Sequence, residues 1–138
     1  MTTTLRLISE PNDPAIESVR QFFRNYAGWL GGDLCFQGFD EEMANLPGCY
    51  APPRGRLWCA EVDGKPVGCV GVRPISDGAA EMKRLYVEPD ARGLGVGHAL
   101  ALAAIRAAKE LGYKRLLLDT LPAMRIAVKL YRELGFSE

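Results

Sequence analysis

Arg92-Gly93-Leu94-Gly95-Val96-Gly97-His98 is the segment of the chain most suited to chemistry. It lies between a β-rich run and a long helix-spaced one, and at a strand-to-helix turn unpaired amide hydrogens and the helix dipole favour an anion. Glycines let a ligand approach the backbone closely. The free amides of Leu94 through His98 are suited to cradling a pyrophosphate, with Arg92 adding a charge-assisted contact from the rim. On these residues alone a plain structural turn is an equal alternative. Two common nucleotide templates do not fit. The P-loop ends in Gly-Lys-Ser/Thr where this loop has Gly-His-Ala, and the Rossmann fingerprint needs its third glycine where His98 stands. His98 is the only histidine. At a helix N-terminus its imidazolium is disfavoured, so it is not read as a catalytic base.

Cys35, Cys49, Cys59 and Cys69 form no C-x-x-C pair and have one histidine to share, so no metal is expected. If Asp63-Gly64 is a two-residue hairpin turn, Cys59 lies across from Gly68 and not from Cys69, and reduced, buried thiols are expected. A chain of 138 residues, 48% hydrophobic and 25% charged, has the size and composition of one compact domain, so residues 1–138 are read as a single domain. Seventeen Lys and Arg balance seventeen Asp and Glu, which argues against a nucleic-acid partner. The longest strongly apolar stretch, Ala99 to Ile105, is far shorter than the ~20 residues of a membrane-spanning helix, so no membrane partner is expected. The opening MTTTLRLISEPNDP lacks the marks of a secretory signal, and the expected location is cytoplasmic.

The elements that must position the glycine loop follow from periodicity. Residues 3 to 8 read as a strand, and Asp13-Pro14 as an N-cap and first position for a helix with Ile16, Val19, Phe23 and Tyr26 on one face. Asp40 to Leu46 reads as a shorter helix. RLWCAEV and KPVGCVGV around Asp63-Gly64 form an antiparallel hairpin, and Ala80 to Val87 adds a third strand to the meander. Apolar residues at steps of three and four predict a helix from about Gly95 to Leu111, ended by Gly112. A short strand over Lys114 to Asp119 and a last helix opened by Pro122 complete the order. The expected architecture is mixed α/β: a mainly antiparallel central sheet closed by a β-α-β crossover, with helices on both faces.

In this order of elements, Arg-x-x-Gly-x-Gly after a meander strand, together with YRELGF at the end of the last helix, resembles the GNAT superfamily of acyl-coenzyme A N-acyltransferases. The resemblance is densest over EMKRLYVEPDARGLGVG from Glu81 and over Tyr131 to Phe136. It implies that the pantetheine arm of acetyl-coenzyme A (acetyl-CoA) lies along Leu85, Tyr86 and Val87. The pyrophosphate would then sit on Arg92, Gly93, Leu94, Gly95, Val96, Gly97 and His98. It further implies a strand that bulges and splays from its neighbour, with a backbone amide near Leu85 polarising the acetyl carbonyl. Tyr131 matches the family tyrosine that protonates the departing thiolate, and Glu81 a strand position that in some members holds a general base. On residues alone, Tyr131 reads as a packed helix tyrosine and Glu81 as a solvated strand-end carboxylate. Asp119 reads more simply as a turn or capping residue than as part of the cleft.

Lys83 and Arg84 read as solvated strand charges or neighbours of the acceptor cleft. Acidic Asp40, Glu41 and Glu42 beside Trp29, Phe36 and Phe39 could suit an amine with an apolar body, but read more simply as the first turn of a helix. Met124 stands where many GNAT members have a cofactor-binding asparagine, so that contact is not carried over. The family pattern continues past Gly-Phe into two further strands, whereas these C-terminal strands are absent from the chain as given, which stops at Glu138. A truncated version, or a homodimer whose second subunit covers the open edge, would account for this. The implied function is acetyl transfer from acetyl-CoA to a primary amine of a small molecule or peptide. A noncatalytic coenzyme A (CoA)-binding module and a protein-interaction domain on the same fold are the alternatives.

Overall fold

The computed structural model describes residues 2–29, 39–76 and 78–118, with 26–29, 39–41 and 118 described by backbone alone. Strand β1 (Thr3–Leu7) leads into helices α1 (Ile16–Trp29) and α2 (Phe39–Ala44), a 3-10 turn at Gly48–Tyr50, and strands β2 (Arg56–Val62), β3 (Lys65–Ser76) and β4 (Ala79–Val87). A second 3-10 turn at Pro89–Ala91 passes the chain to α3 (Val96–Glu110) and β5 (Arg115–Leu118). The strands lie in the order β1-β2-β3-β4-β5, antiparallel throughout except for the parallel β4–β5 pair. This is the expected mixed α/β sheet. The helix expected from Pro122 onward lies outside the described residues.

Local chemistry explains the element ends. The Asp13 carboxylate accepts the Ala15 amide at 2.9 Å and starts α1. Gly112, at φ +85°, ends α3 by donating to the Lys109 carbonyl at 3.0 Å while Tyr113 donates to Ala108.

Strand alternation divides the core between the two faces of the sheet. Leu57, Cys59, Cys69 and Tyr86 pack with Ile16, Val19, Phe22 and Phe23 of α1 and with Tyr50. Trp58, Ala60, Val70, Val72, Ala80 and Met82 pack with Val96, Leu100, Ala104 and Ala107 of α3. Small alanines on α3 bring that helix close to the sheet. Each large side chain fully buried in either layer contributes about 1.5–3 kcal/mol.

The hairpin turn is as expected: Asp63 and Gly64 have φ +51° and +83°, the type I′ signature. The register beyond it differs from the expected one. Val62 pairs with Lys65 and Glu61 with Pro66, but a bulge then puts Ala60 opposite Gly68 and Cys59 opposite Cys69. One extra residue on β3 shifts every later pair, and no residue type in the segment announces it. Cys59 and Cys69 are nonetheless free and buried thiols. Burial pushes the Cys59 thiol up to about 12 and Cys69 well above its ordinary value.

Candidate active site

Glu81, Leu85, Tyr86 and Val87 share one strand, β4, and its two edges differ. On one side β4 pairs with β3 along most of its length; on the other, its Ala79–Met82 segment pairs in parallel with Arg115–Leu118, where the described residues end. Just beyond Met82 the register with β3 shifts, between the Gly71–Lys83 and Cys69–Tyr86 pairs, so Arg84 and Leu85 form a bulge. The bulge that the glycine-free LYV segment does not announce is therefore present.

Arg84 stands at φ +61°, the left-handed region, which costs a residue with a Cβ about 1–2 kcal/mol. Its contacts offset that cost. The guanidinium donates to Glu42 of α2, Nε to Oε2 at 3.0 Å and Nη2 to Oε1 at 3.4 Å, and lies 5.7 Å from the Phe23 ring centroid of α1. The Tyr50 hydroxyl donates to the same Glu42 carboxylate at 3.2 Å. Burial opposes the charge on Arg84, but Glu42 and Tyr50 beside it outweigh burial and raise its pKa. The Tyr50 phenol is pushed well above its ordinary value, by burial first and by Glu42 second.

The backbone at the bulge is turned as well. The Cys69 thiol donates to the Arg84 carbonyl at 3.3 Å. In a trans peptide the C=O and the following N–H point in opposite directions, so the Leu85 amide faces away from that β3 sulfur. Leu85 and Val87 then pack toward α3, whereas Tyr86 packs toward α1 with its ring 5.6 Å from Phe22 and its hydroxyl donating to Glu88 at 3.0 Å.

The strand passes through the Pro89–Ala91 turn into the glycine loop. Arg92, exposed, donates from Nε to the Val87 carbonyl at 3.1 Å, which ties the loop to the end of β4. Gly93 and Gly95 have φ +86° and +80°, and a Cβ at either would meet only open space. Gly95 caps α3 without a side chain, and its carbonyl takes the first intrahelical bond from Ala99 at 3.0 Å. The amides of Val96, Gly97 and His98 are thus the ones a helix leaves without an intrahelical carbonyl, and Leu94 and His98 are exposed beside them. A turn of exposed donors opened by Gly93 and Gly95, next to an arginine, could hold a pyrophosphate. The bulged backbone of β4 leads toward that rim and could pair with an extended pantetheine arm. Among the described residues no cluster of His, Cys, Asp or Glu could hold a metal ion.

Glu81 lies toward the other end of β4, directly across from Arg73 of β3. Both bonds from Arg73, Nε at 3.0 Å and Nη2 at 2.8 Å, end on Oε1, and the Glu81 side chain is 12% exposed. It is therefore a paired carboxylate and not a solvated strand end. Lys83 is half-buried, and burial, then Arg73 and Arg84, lower its pKa. Arg84 also departs from the solvated reading, with a side chain only 10% exposed. The carboxylate of Glu42, read as an attraction for an amine, is taken up by Arg84. The side chains of Asp40 and Glu41, together with Asp119, Met124 and Tyr131, lie outside those described.

Sequence reasoning passed over the Glu42–Tyr50–Arg84 group and the Arg73–Glu81 pair. No periodicity links Glu42 to an arginine 42 residues further on. The cross-strand pair was hidden because its register depends on a shift between Pro74 and Ser76, beside the turn that joins β3 to β4.

Residues 12–136 match the family model of the acetyltransferase (GNAT) family. The chain is 38% identical over 135 residues to an uncharacterized N-acetyltransferase of Schizosaccharomyces pombe, covering 96% of this chain and 82% of that protein. It is 32% identical over 136 residues to the uncharacterized N-acetyltransferase YjgM of Escherichia coli, covering 96% and 80%. The fold is similar to that of AAC(6')-Iy solved with the bisubstrate analogue CoA-S-monomethyl-acetylneamine, with a TM-score of 0.76 at 20% identity over 100% of this chain and 92% of that one. With its strand-to-helix glycine loop, its bulged strand and the family model matched over nearly its whole length, the chain belongs to the GNAT family of acetyltransferases.

Proposed function

We propose that the protein transfers the acetyl group of acetyl-CoA to a primary amine by direct attack on the thioester. The observation that carries this reading is the continuity of β4: a bulge at Arg84–Leu85, followed through the Pro89–Ala91 turn by a glycine loop delivering the amides of α3. On this reading the loop from Arg92 to His98 binds the pyrophosphate, while the backbone of Leu85, Tyr86 and Val87 pairs with the pantetheine arm. The Leu85 amide donates to the acetyl carbonyl oxygen, where negative charge develops.

The amine nitrogen forms its bond to the acetyl carbon as the carbon–sulfur bond breaks, Tyr131 gives its proton to the departing thiolate, and the second proton that the nitrogen sheds restores Tyr131 through water. Glu81, whose Oε1 is engaged by Arg73, receives the proton of the incoming ammonium at Oε2, directly or through water. The acceptor is an amine on a small molecule or peptide. Support for this chemistry comes from the N-acetyltransferase names of the relatives and from the CoA conjugate bound by AAC(6')-Iy.

Isothermal titration with acetyl-CoA, and with CoA lacking the acetyl group as control, is the test. Saturable binding of acetyl-CoA, followed by thiol release in an amine screen, is the expected result. Binding without turnover of any amine would favour a noncatalytic module, and no binding by the folded chain would favour an interaction domain.

A further inference from the structure

Helix α2 and the backbone of the bulge are joined by one polar group, and its geometry assigns that group a task. We infer that Glu42 is a positioning residue: acting through Arg84, it holds the Leu85 amide in the direction that polarises the thioester carbonyl. This rests on the acetyltransferase reading above.

Three observations carry the inference. Arg84 occupies a backbone conformation that a residue with a Cβ rarely adopts, so something outside the strand must maintain it. Its guanidinium is bonded twice to Glu42, which in turn accepts from the Tyr50 hydroxyl, and the phenol is fully buried. A two-bond contact from a planar guanidinium fixes orientation as well as distance, which a lysine ammonium would not. Finally, the peptide that follows Arg84 is anchored on its carbonyl side by the Cys69 thiol at 3.3 Å, so the side-chain clamp and the carbonyl bond act on the same peptide plane. Rotation of that plane is the motion that would move the Leu85 amide off the acetyl oxygen. Holding it before substrate arrives is preorganisation of an oxyanion donor, and a small misplacement of such a donor is expensive in rate.

The experiment uses the full chain and acetyl-CoA carrying ¹³C at the carbonyl. Wild-type protein is expected to displace the bound carbonyl resonance downfield from that of free acetyl-CoA. In Glu42→Gln, which keeps shape but removes the charge, that displacement is expected to shrink while acetyl-CoA affinity stays within about threefold; with an amine found by screening, kcat should fall about tenfold at little change in KM for acetyl-CoA. Arg84→Lys is expected to behave likewise, because its ammonium cannot make the two-bond contact. Tyr50→Phe keeps the ring packed and removes only the hydroxyl, so it tests the clamp even where Glu42→Gln folds poorly, and a smaller reduction of the displacement is expected from it.

A purely structural role predicts a lower melting temperature with the bound resonance unmoved, and that result in all three variants would overturn the inference. Loss of acetyl-CoA binding in Glu42→Gln would overturn it too, by making Glu42 a cofactor-binding residue. Failure of the wild-type chain to bind acetyl-CoA is a distinct outcome, which removes the acetyltransferase reading itself.

Discussion

The ring of Tyr50 lies against the bare Cα of Gly71: a Cβ at residue 71 would stand 2.6 Å from Tyr50 Cδ1 and 2.8 Å from Cε1. Gly71 is the β3 partner of Lys83, one residue before the bulge, so the space left by its missing side chain seats the phenol that supports Glu42. Gly71→Ala is therefore expected to force the ring aside and to destabilise the fold by about 1–3 kcal/mol. Thermal unfolding reads the loss. An alanine variant as stable as the wild type would mean that the ring has room to shift.

Arg92 sits on the rim of the glycine loop and is tied to the Val87 carbonyl. Arg92→Ala should leave the fold intact and weaken acetyl-CoA about tenfold, as loss of one charge-assisted contact to phosphate implies. The comparison is made by titration calorimetry, and unchanged affinity would remove Arg92 from the pyrophosphate site.

Proton delivery to the leaving thiolate gives a separate test. Tyr131→Phe is expected to slow transfer about a hundredfold at unchanged acetyl-CoA affinity. Wild-type turnover by the phenylalanine variant would retire Tyr131 as the acid.

Acid sensitivity should be traceable to Asp13. Burial raises the pKa of its carboxyl, but the Ala15 amide and the Arg6 guanidinium outweigh burial and hold it below its ordinary value. A folded pKa below the unfolded one contributes stability that is complete above the unfolded value and is lost as pH falls through the folded one, here below about pH 4. Asp13→Ala should cost about 1 kcal/mol at neutral pH, and a smaller amount in acid. Urea unfolding at the two pH values checks this, and a difference that does not shrink in acid would assign the loss to packing alone.

Thiol chemistry probes the shifted hairpin register. Cys59 and Cys69, opposite one another and fully buried with raised pKa values, are expected to resist alkylation until the protein unfolds. Cys49, which is exposed, should react first of these three. Peptide mapping after a pulse of iodoacetamide distinguishes them, and early modification of Cys69 would contradict its place in the core.

Much of the molecule is determined locally and so is legible in the order of residues. Asp63-Gly64 imposes a type I′ turn because both positions tolerate positive φ, and the steps of three and four from Val96 to Ala107 place one apolar face on a helix. Gly93 and Gly95 shape the α3 N-terminus for the same local reason, since both take positive φ and a Cβ at either would meet only open space. The order of elements, the two-faced core and the geometry of the glycine loop all belong to this class. The register did not, because two bulges with no marker residue decide whether Cys59 faces Gly68 or Cys69 and whether Arg84 stays in the ladder or turns out of it. Nor was the partner of Arg84 legible. A charge on a strand reads as solvated until a helix 42 residues away is folded over it, and only tertiary packing brought Glu42 within 3.0 Å. Spacing along the chain specifies what neighbours in sequence can do, whereas the contacts that hold Arg84 come from separate elements and exist only once the sheet and its α1–α2 layer have closed.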